Sequence, residues 1–311
     1  MRVTFLAALG AALLAVLPLG SAAAVAQGDA DRVGYMLGLD DVETDLALIS
    51  AMVMPGADLR FAVDADGQAD SGALRRDGGD WVWRAPSSPG VSRITFINGG
   101  QARDILVFVL TPFENGRQSE LNGYRIGAYS PDPHRGLDVY RPPEGFIEVT
   151  RDMRDLYVSP NFQLWQFLCK QQPDHDTAYL LIRPSMLAKL ESVLDAVQGA
   201  GHDVPTLTVM SGFRTPWYNA SIGNRTTSSR HLFGGAADVF VDADGNGWMD
   251  DLNGDGRIDI GDARMLAGWA EDISESTGNR YWPAGGLGIY SANSVRGPFV
   301  HIDARGYRAR W

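Results

Sequence analysis

Apolar and polar positions alternate in short runs through the first third of the chain, then take up a helical spacing further on. The runs at 59–63, 81–83, 94–97 and 105–110 are rich in β-branched and aromatic residues, the composition of half-buried strands. Gly, Pro, Asp and Ser separate them, as at 64–67 and 86–89, where turn chemistry is expected. This pattern predicts a small all-β unit over 27–113, a sandwich of immunoglobulin-like general architecture. From 114 to 158 the alternation lapses into a segment rich in Pro, Gly and Tyr, broken by Pro131, Pro133, Pro142 and Pro143, which reads as an ordered but irregular linker. Beyond 159, apolar residues fall at Leu187, Leu190, Val193, Leu194 and Val197, one face of a helix. Strands over 206–210, 236–241 and 299–303, a turn at 211–214 and a helix over 263–275 complete an expected α+β domain spanning 159–311, a usual domain size.

The first residues change the picture. Positions 5–19 are almost wholly apolar after the basic Arg2, and the small residues Ser21, Ala22, Ala24 and Ala26 follow. That is the layout of a leader peptide over 1–26, which would export the chain to the periplasm or another extracytoplasmic space. The other reading is an uncleaved anchor, for which the apolar stretch is short. No later run is apolar for long enough to span a bilayer. Cys169 is the only cysteine, so no intramolecular disulfide forms. Its apolar neighbours point to packing, and no adjacent pattern supports the alternative of a nucleophile. A net charge of −11 argues against nucleic acid as a partner, since that needs a basic face.

Two segments carry metal chemistry. One pairs His231 with Asp238, seven residues later, and the other presents His301 two residues before Asp303. Zinc takes imidazole and carboxylate ligands, and its catalytic sites hold three of them and leave a fourth position open. Strand alternation puts Asp238 on the same face as Ala236 and Phe240, and His301 on the same face as Phe299 and Asp303. If the two strands are neighbours, Asp238 and His301 converge on one ion, with Gly234 and Gly235 letting the chain turn back from His231. Each histidine could instead be a satisfied core residue. His134, His175 and His202 sit in polar, loop-like contexts.

Between the zinc strands lies an acidic insertion over 242–262. Read from Asp251, it places Asp251, Asn253, Asp255, Asp259 and Asp262 at ligand positions one, three, five, nine and twelve of an EF-hand loop, with Gly256 at six and the Arg257 carbonyl at seven. Aspartate at position twelve resembles dockerin-like calcium loops. Asp242, Asp244 and Asn246 open a second, incomplete loop whose twelfth position, Asn253, is already in use. The alternative is a solvated acidic turn. Calcium here would either hold the end of the Asp238 strand rigid or act as a switch.

Four ordered motifs carry a resemblance. The segments at 211–219, 229–238, 285–290 and 299–303, opened by a stretch at 159–169, look like the D-Ala-D-Ala carboxypeptidase and murein endopeptidase family of zinc peptidases. The likeness covers 159–311. It implies a zinc ion on His231, Asp238 and His301, Arg214 on the substrate carbonyl, where a guanidinium would stabilise developing charge, and Ser229 as a hydrogen-bonding contact to substrate. It further implies hydrolysis of peptide bonds in peptidoglycan stems or cross-links. One position departs from the pattern. Many relatives carry a carboxylate three residues before the last zinc histidine as general base, and Pro298 stands there. Asp303 is the nearest substitute as proton acceptor, or else a partner that orients a ligand. Two further functions compete with the peptidase: a non-catalytic wall-binding protein that keeps zinc for structure, and a calcium-dependent adhesion module.

Overall fold

The computed structural model describes residues 31–40, 42–276 and 284–311; the expected leader over 1–26 lies outside them. The described chain is mixed α/β, mostly strands, with three α-helices. Nine strands form the N-terminal part: β1 (Arg32–Leu39), β2 (Val42–Leu46), β3 (Leu48–Val53), β4 (Asp58–Ala62), β5 (Asp66–Ala69), β6 (Ala73–Asp77), β7 (Asp80–Arg84), β8 (Gly90–Asn98) and β9 (Gln101–Val109). They build a five-stranded sheet of order β2-β1-β4-β7-β6 and a four-stranded sheet of order β3-β9-β8-β5. In β4, Leu59 and Phe61 are buried while Asp58, Arg60 and Ala62 are exposed, the alternation of a strand with one wet face. Phe61 of one sheet meets Phe96 of the other edge to face, with centroids 5.4 Å apart, so the two sheets share a core. The pairing is antiparallel except for β3 and β9, which run parallel. The sequence pattern foresaw β4, β7, β8 and β9 but not β1, interrupted by Gly, β2, interrupted by acidic residues, the largely apolar β3, or the mostly polar β5 and β6.

The expected linker is not a mere connection. It follows β10 (Thr111–Pro112) and contains the short hairpin β11 (Glu120–Leu121) and β12 (Tyr124–Arg125), then β13 (Gly145–Val149). β13 pairs with β10 on one side and on the other with β16 (Ala178–Leu180), reached after the small pair β14 (Tyr157–Ser159) and β15 (Phe162–Gln163). Tyr124, Ile126, Tyr129, Tyr140, Phe146 and Val149 are all buried. Proline and glycine density hid an aromatic content that is enough to make this segment part of the core.

α1 (Pro184–Gly199) starts with Pro184 at its first helical position, where the missing N–H leaves no gap. It packs against β2, β3 and β14 and also against α3 (Ile260–Ser276). The second helix, α2 (Pro216–Ser221), is a short turn capped by the Thr215 hydroxyl, which accepts from the Tyr218 N–H. The last sheet has the order β17-β18-β20-β19-β21, built from β17 (Thr208–Ser211), β18 (Ala236–Phe240), β19 (Gly286–Tyr290), β20 (Phe299–Asp303) and β21 (Ala309–Arg310). α3 covers β19 and β20. A single continuous cluster of buried side chains runs from Leu37 in β1 to Ile302 in β20.

Candidate metal centre

β18 and β20 are neighbours, as the convergence of Asp238 and His301 requires. Cross-strand pairing sets Ser211 opposite Asp238, Asp238 opposite His301, and His301 opposite Gly288. The site is therefore one row of residues running across four strands. All five residues of β18 are buried, and a carboxylate there demands partners, because an unpaired buried charge is expensive. His231 arrives on a 3-10 turn, Arg230–Phe233, that ends at Gly234 with φ 65°. A side chain at Gly234 would also strike the Leu181 carbonyl at 2.5 Å.

The hydrogen-bond network fixes both imidazoles. His231 Nδ1 lies 2.7 Å from the Gly212 carbonyl, which only accepts, so this nitrogen carries the proton and Nε2 presents a lone pair. His301 lies between two carboxylates, its Nε2 3.1 Å from Asp303 Oδ2 and its Nδ1 2.8 Å from Asp238 Oδ1; with a cation at Nδ1, Asp303 is the partner that takes the Nε2 proton. Three potential ligand atoms face one another: His301 Nδ1 to Asp238 Oδ1 at 2.8 Å, His231 Nε2 to His301 Nδ1 at 3.2 Å, and His231 Nε2 to Asp238 Oδ1 at 3.3 Å. Tetrahedral ligands at zinc bond lengths stand about 3.4 Å apart, so the donor set fits such an ion with slight widening. Without a cation, a proton must fill the gap. The His301 pKa reflects this: burial pulls it down, but hydrogen bonds and charge from Asp238 and Asp303 push it up to about 9. His231 is lowered, by burial first and then by Arg214 and His301, against the pull of Asp238. Asp238 is held well below the usual carboxylate range, since the two histidines more than offset its burial.

Arg214 stands beside this group. Its Nη2 donates to Asp238 Oδ2 at 2.5 Å and its Nε to the Ser211 hydroxyl at 2.8 Å. Its side chain keeps 14% exposure, enough to face an incoming ligand as well as Asp238. Ser229 is half-buried just before the 3-10 turn, and its side chain makes no capping bond there.

For Asp303 the geometry separates its two expected roles. It lies behind His301, fully buried, on the side away from the donor atoms. Oδ1 accepts from the Gly286 N–H at 2.8 Å and from Arg305 Nε at 2.9 Å, while Arg305 Nη2 closes on Oδ2. Burial works against ionisation, yet His301 and Arg305 drive its pKa far below normal. A carboxylate so engaged orients its histidine and is poorly placed to collect a proton. Lys189, on α1, donates to the Asp303 backbone carbonyl at 2.7 Å.

Sequence reasoning missed Arg305, Lys189 and Trp311. The Trp311 ring sits 5.3 Å from the His301 ring, with the Arg305 guanidinium 4.8 Å from its own centroid, and its Nε1 donates to the Tyr290 hydroxyl at 2.6 Å. Arg305, two residues after Asp303, was a legible signal for an ion pair; the other two depend on tertiary packing. Gly286 and Gly288 lie on the site face of β19. A Cβ at Gly286 would sit 2.3 Å from Asp303 Oδ2, and one at Gly288 2.5 Å from Trp311 Nε1. Cys169 is buried, and burial pushes its thiol up to about 11, as a packing residue requires.

In the acidic insertion, the carboxylates of Asp242, Asp244 and Asp250 come within 4.8 Å of one another. Among the described residues the expected second loop shows no such convergence of three. Asp262, its twelfth position, is fully buried and occupied: Oδ1 accepts from Leu252 N–H at 2.8 Å and Oδ2 from Asp259 N–H at 2.8 Å, at the start of α3. Asp251, Asn253, Asp255 and Asp259 instead take backbone N–H groups of their own turn. Asp250, overlooked in the sequence, is the ninth position of the first loop. Segments 242–250 and 251–259 repeat with a period of nine. Gly247 N–H donates to Asp242 Oδ2 at 3.0 Å as Gly256 N–H does to Asp251 Oδ2 at 2.7 Å, and Trp248 N–H donates to Asn246 as Arg257 N–H does to Asp255.

Comparison with known proteins finds no significant match to a family model, to a curated protein or to a solved structure.

Proposed function

We propose that this chain is an exported zinc metallopeptidase acting on the peptides of peptidoglycan, with His231, Asp238 and His301 as zinc ligands on an α+β domain and an immunoglobulin-like sandwich ahead of it. The observation that carries this reading is the convergence of two imidazole nitrogens and a carboxylate oxygen, all buried, within 2.8–3.3 Å of one another, a donor set that fits a cation. When bound, zinc supplies Lewis-acid polarisation of a carbonyl and activation of water. The chain's own residues do the rest. Asp303 and the Gly212 carbonyl hold the two imidazoles in the tautomers that leave their lone pairs inward. Arg214 is aimed to stabilise negative charge as it develops on the substrate carbonyl oxygen, and Ser229 is close enough to the turn bearing His231 to contact substrate.

The acidic insertion supports a calcium ion in the loop of Asp242, Asp244, Asn246 and Asp250, with Asp251 to Asp262 as a second loop of the same build. Its role in this reading is structural, because Asp242 follows Asp238 by four residues and a held loop fixes the end of β18.

Digestion of muropeptides by purified protein, followed by mass spectrometry, tests the proposal. Peptide cleavage is expected with zinc and none after a zinc chelator, or in His301→Ala. A second reading, a wall-binding protein with structural zinc, draws on Pro298 and on the full engagement of Asp303, which leave the usual base position empty of a carboxylate. Zinc bound stoichiometrically together with intact muropeptides would favour it and sink the peptidase.

A further inference from the structure

A cavity of about 670 Å³ opens against the sheet that carries the candidate metal site, within the size range of small-ligand sites. None of the three metal-donor residues lines it. Its inner wall is the far end of the same sheet: Thr208 and Met210 of β17 and Phe240 of β18. Phe240 shares a strand face with Asp238 and lies two residues on, about 7 Å along the strand. Pro298, three residues before His301, closes one side. A peptide lying across the row of metal donors would run into this cavity.

The charge of the lining stands apart from the rest of the molecule. The chain has 38 acidic and 27 basic residues, yet the cavity is lined by Arg154, Lys170 and Arg296 and by no carboxylate. Among the described residues, none of these three cations is in an ion pair. Arg154 Nε is buried without a hydrogen-bond partner, and Arg296 spends its charge on the Ser291 carbonyl and the face of Phe299, 4.3 Å from its centroid. The Arg154 side chain as a whole is only half-buried at the cavity wall, and a guanidinium presented there matches a carboxylate, which such groups bind in a fork geometry. Trp165 and Trp248 also line the cavity, each 51% exposed, and supply flat apolar area for the uncharged parts of a ligand. Trp248 reaches this position from the first acidic loop by lying against Gly297, where a Cβ would stand 3.2 Å from its ring.

We infer that this cavity is a subsite for a carboxylate-bearing stretch of peptide, which it anchors through Arg154 and Lys170 while the adjoining bond lies at the metal centre. The inference rests on the peptidase reading for what lies at the metal, but the cavity's ligand preference is measurable by itself. The probes are a tetrapeptide with two free side-chain carboxylates, N-methylated along its backbone to resist cleavage, and its doubly amidated counterpart. Both are titrated calorimetrically into the full, zinc-loaded protein.

The acidic peptide is expected to bind about tenfold tighter than the amide, the size of one charge-assisted hydrogen bond. Lys170→Glu and Arg154→Gln should each remove that preference. Lys170 is exposed, so the glutamate variant keeps the test decisive even if the Arg154 variant does not fold. Equal binding of the two peptides, or an unchanged preference in Lys170→Glu, overturns the subsite. Inorganic phosphate competing as well as the acidic peptide overturns it too, since the cavity would then read charge alone. A carboxylate preference without any muropeptide cleavage leaves the subsite standing and sinks the peptidase, while cleavage without the preference does the reverse.

Discussion

At the scale of single residues, the convergence of His231, Asp238 and His301 into a group that could hold a metal ion was legible because their chemistry and their period agree. A histidine and an aspartate placed on the inward faces of two apolar strands have few ways to be satisfied except by each other and an ion. What the sequence left open was the division of labour around them, because that depends on which side of an imidazole a neighbour reaches. Asp303 occupies the outer nitrogen of His301 at 3.1 Å, so its effect should appear in metal affinity. Asp303→Asn is expected to weaken zinc binding by about 10–100-fold, measured by competition against a chromophoric chelator. An unchanged affinity with lost turnover would restore Asp303 as the proton acceptor. Trp311 was not read because its contacts arise from the pairing of β19 with β20 and β21, which no local pattern encodes, whereas Arg305 sits two residues from its partner Asp303 and was within reach of a sequence reading.

At the scale of elements, β17, β18 and β20 of the last sheet and both long helices lie close to where the sequence pattern set them, β19 and β21 went unread, and the misses have physical causes. β13 was masked by the prolines that precede it. In the acidic insertion, matching to a twelve-residue template favoured the loop from Asp251, whereas the repeat has a period of nine and Asp262 is engaged in holding the entry to α3. Calcium should therefore act first through Asp242, Asp244 and Asp250. Adding millimolar calcium to zinc-loaded, calcium-depleted protein is expected to raise the melting temperature by about 3–8 °C, the effect of a ligand well above its dissociation constant on a domain of this size. Asp242→Ala should abolish the rise. An identical melting curve with and without calcium would remove the ion from the account.

At the scale of the whole molecule, one continuous cluster of buried side chains joins the segments expected as sandwich, linker and α+β domain. The Ser50 hydroxyl donates to the Val158 carbonyl at 2.9 Å, α1 contacts strands on both sides, and the buried cluster has no break at the supposed linker. Composition could locate the β-rich and mixed halves but not their union, since the joining contacts are made by buried aromatics in a segment that reads as polar. One core predicts one transition. Tryptophan fluorescence and far-ultraviolet circular dichroism should report the same midpoint in guanidinium chloride, and two separated midpoints would restore independent domains.

The bare site face of β19 bears on how this protein tolerates change. Gly286 and Gly288 touch no ligand in the proposed chemistry, yet any side chain there would displace Asp303 or Trp311. In a saturation mutagenesis screen scored by activity, both positions should look as intolerant as His231 or His301. A parallel screen scored by cellular abundance tells them apart: His301 variants should persist as inactive protein, whereas the glycine variants should be depleted. Substitutions at Gly286 and Gly288 that leave abundance normal would mean that the sheet yields there. An alignment-based search for catalytic residues would then be drawn to two positions whose contribution is empty space.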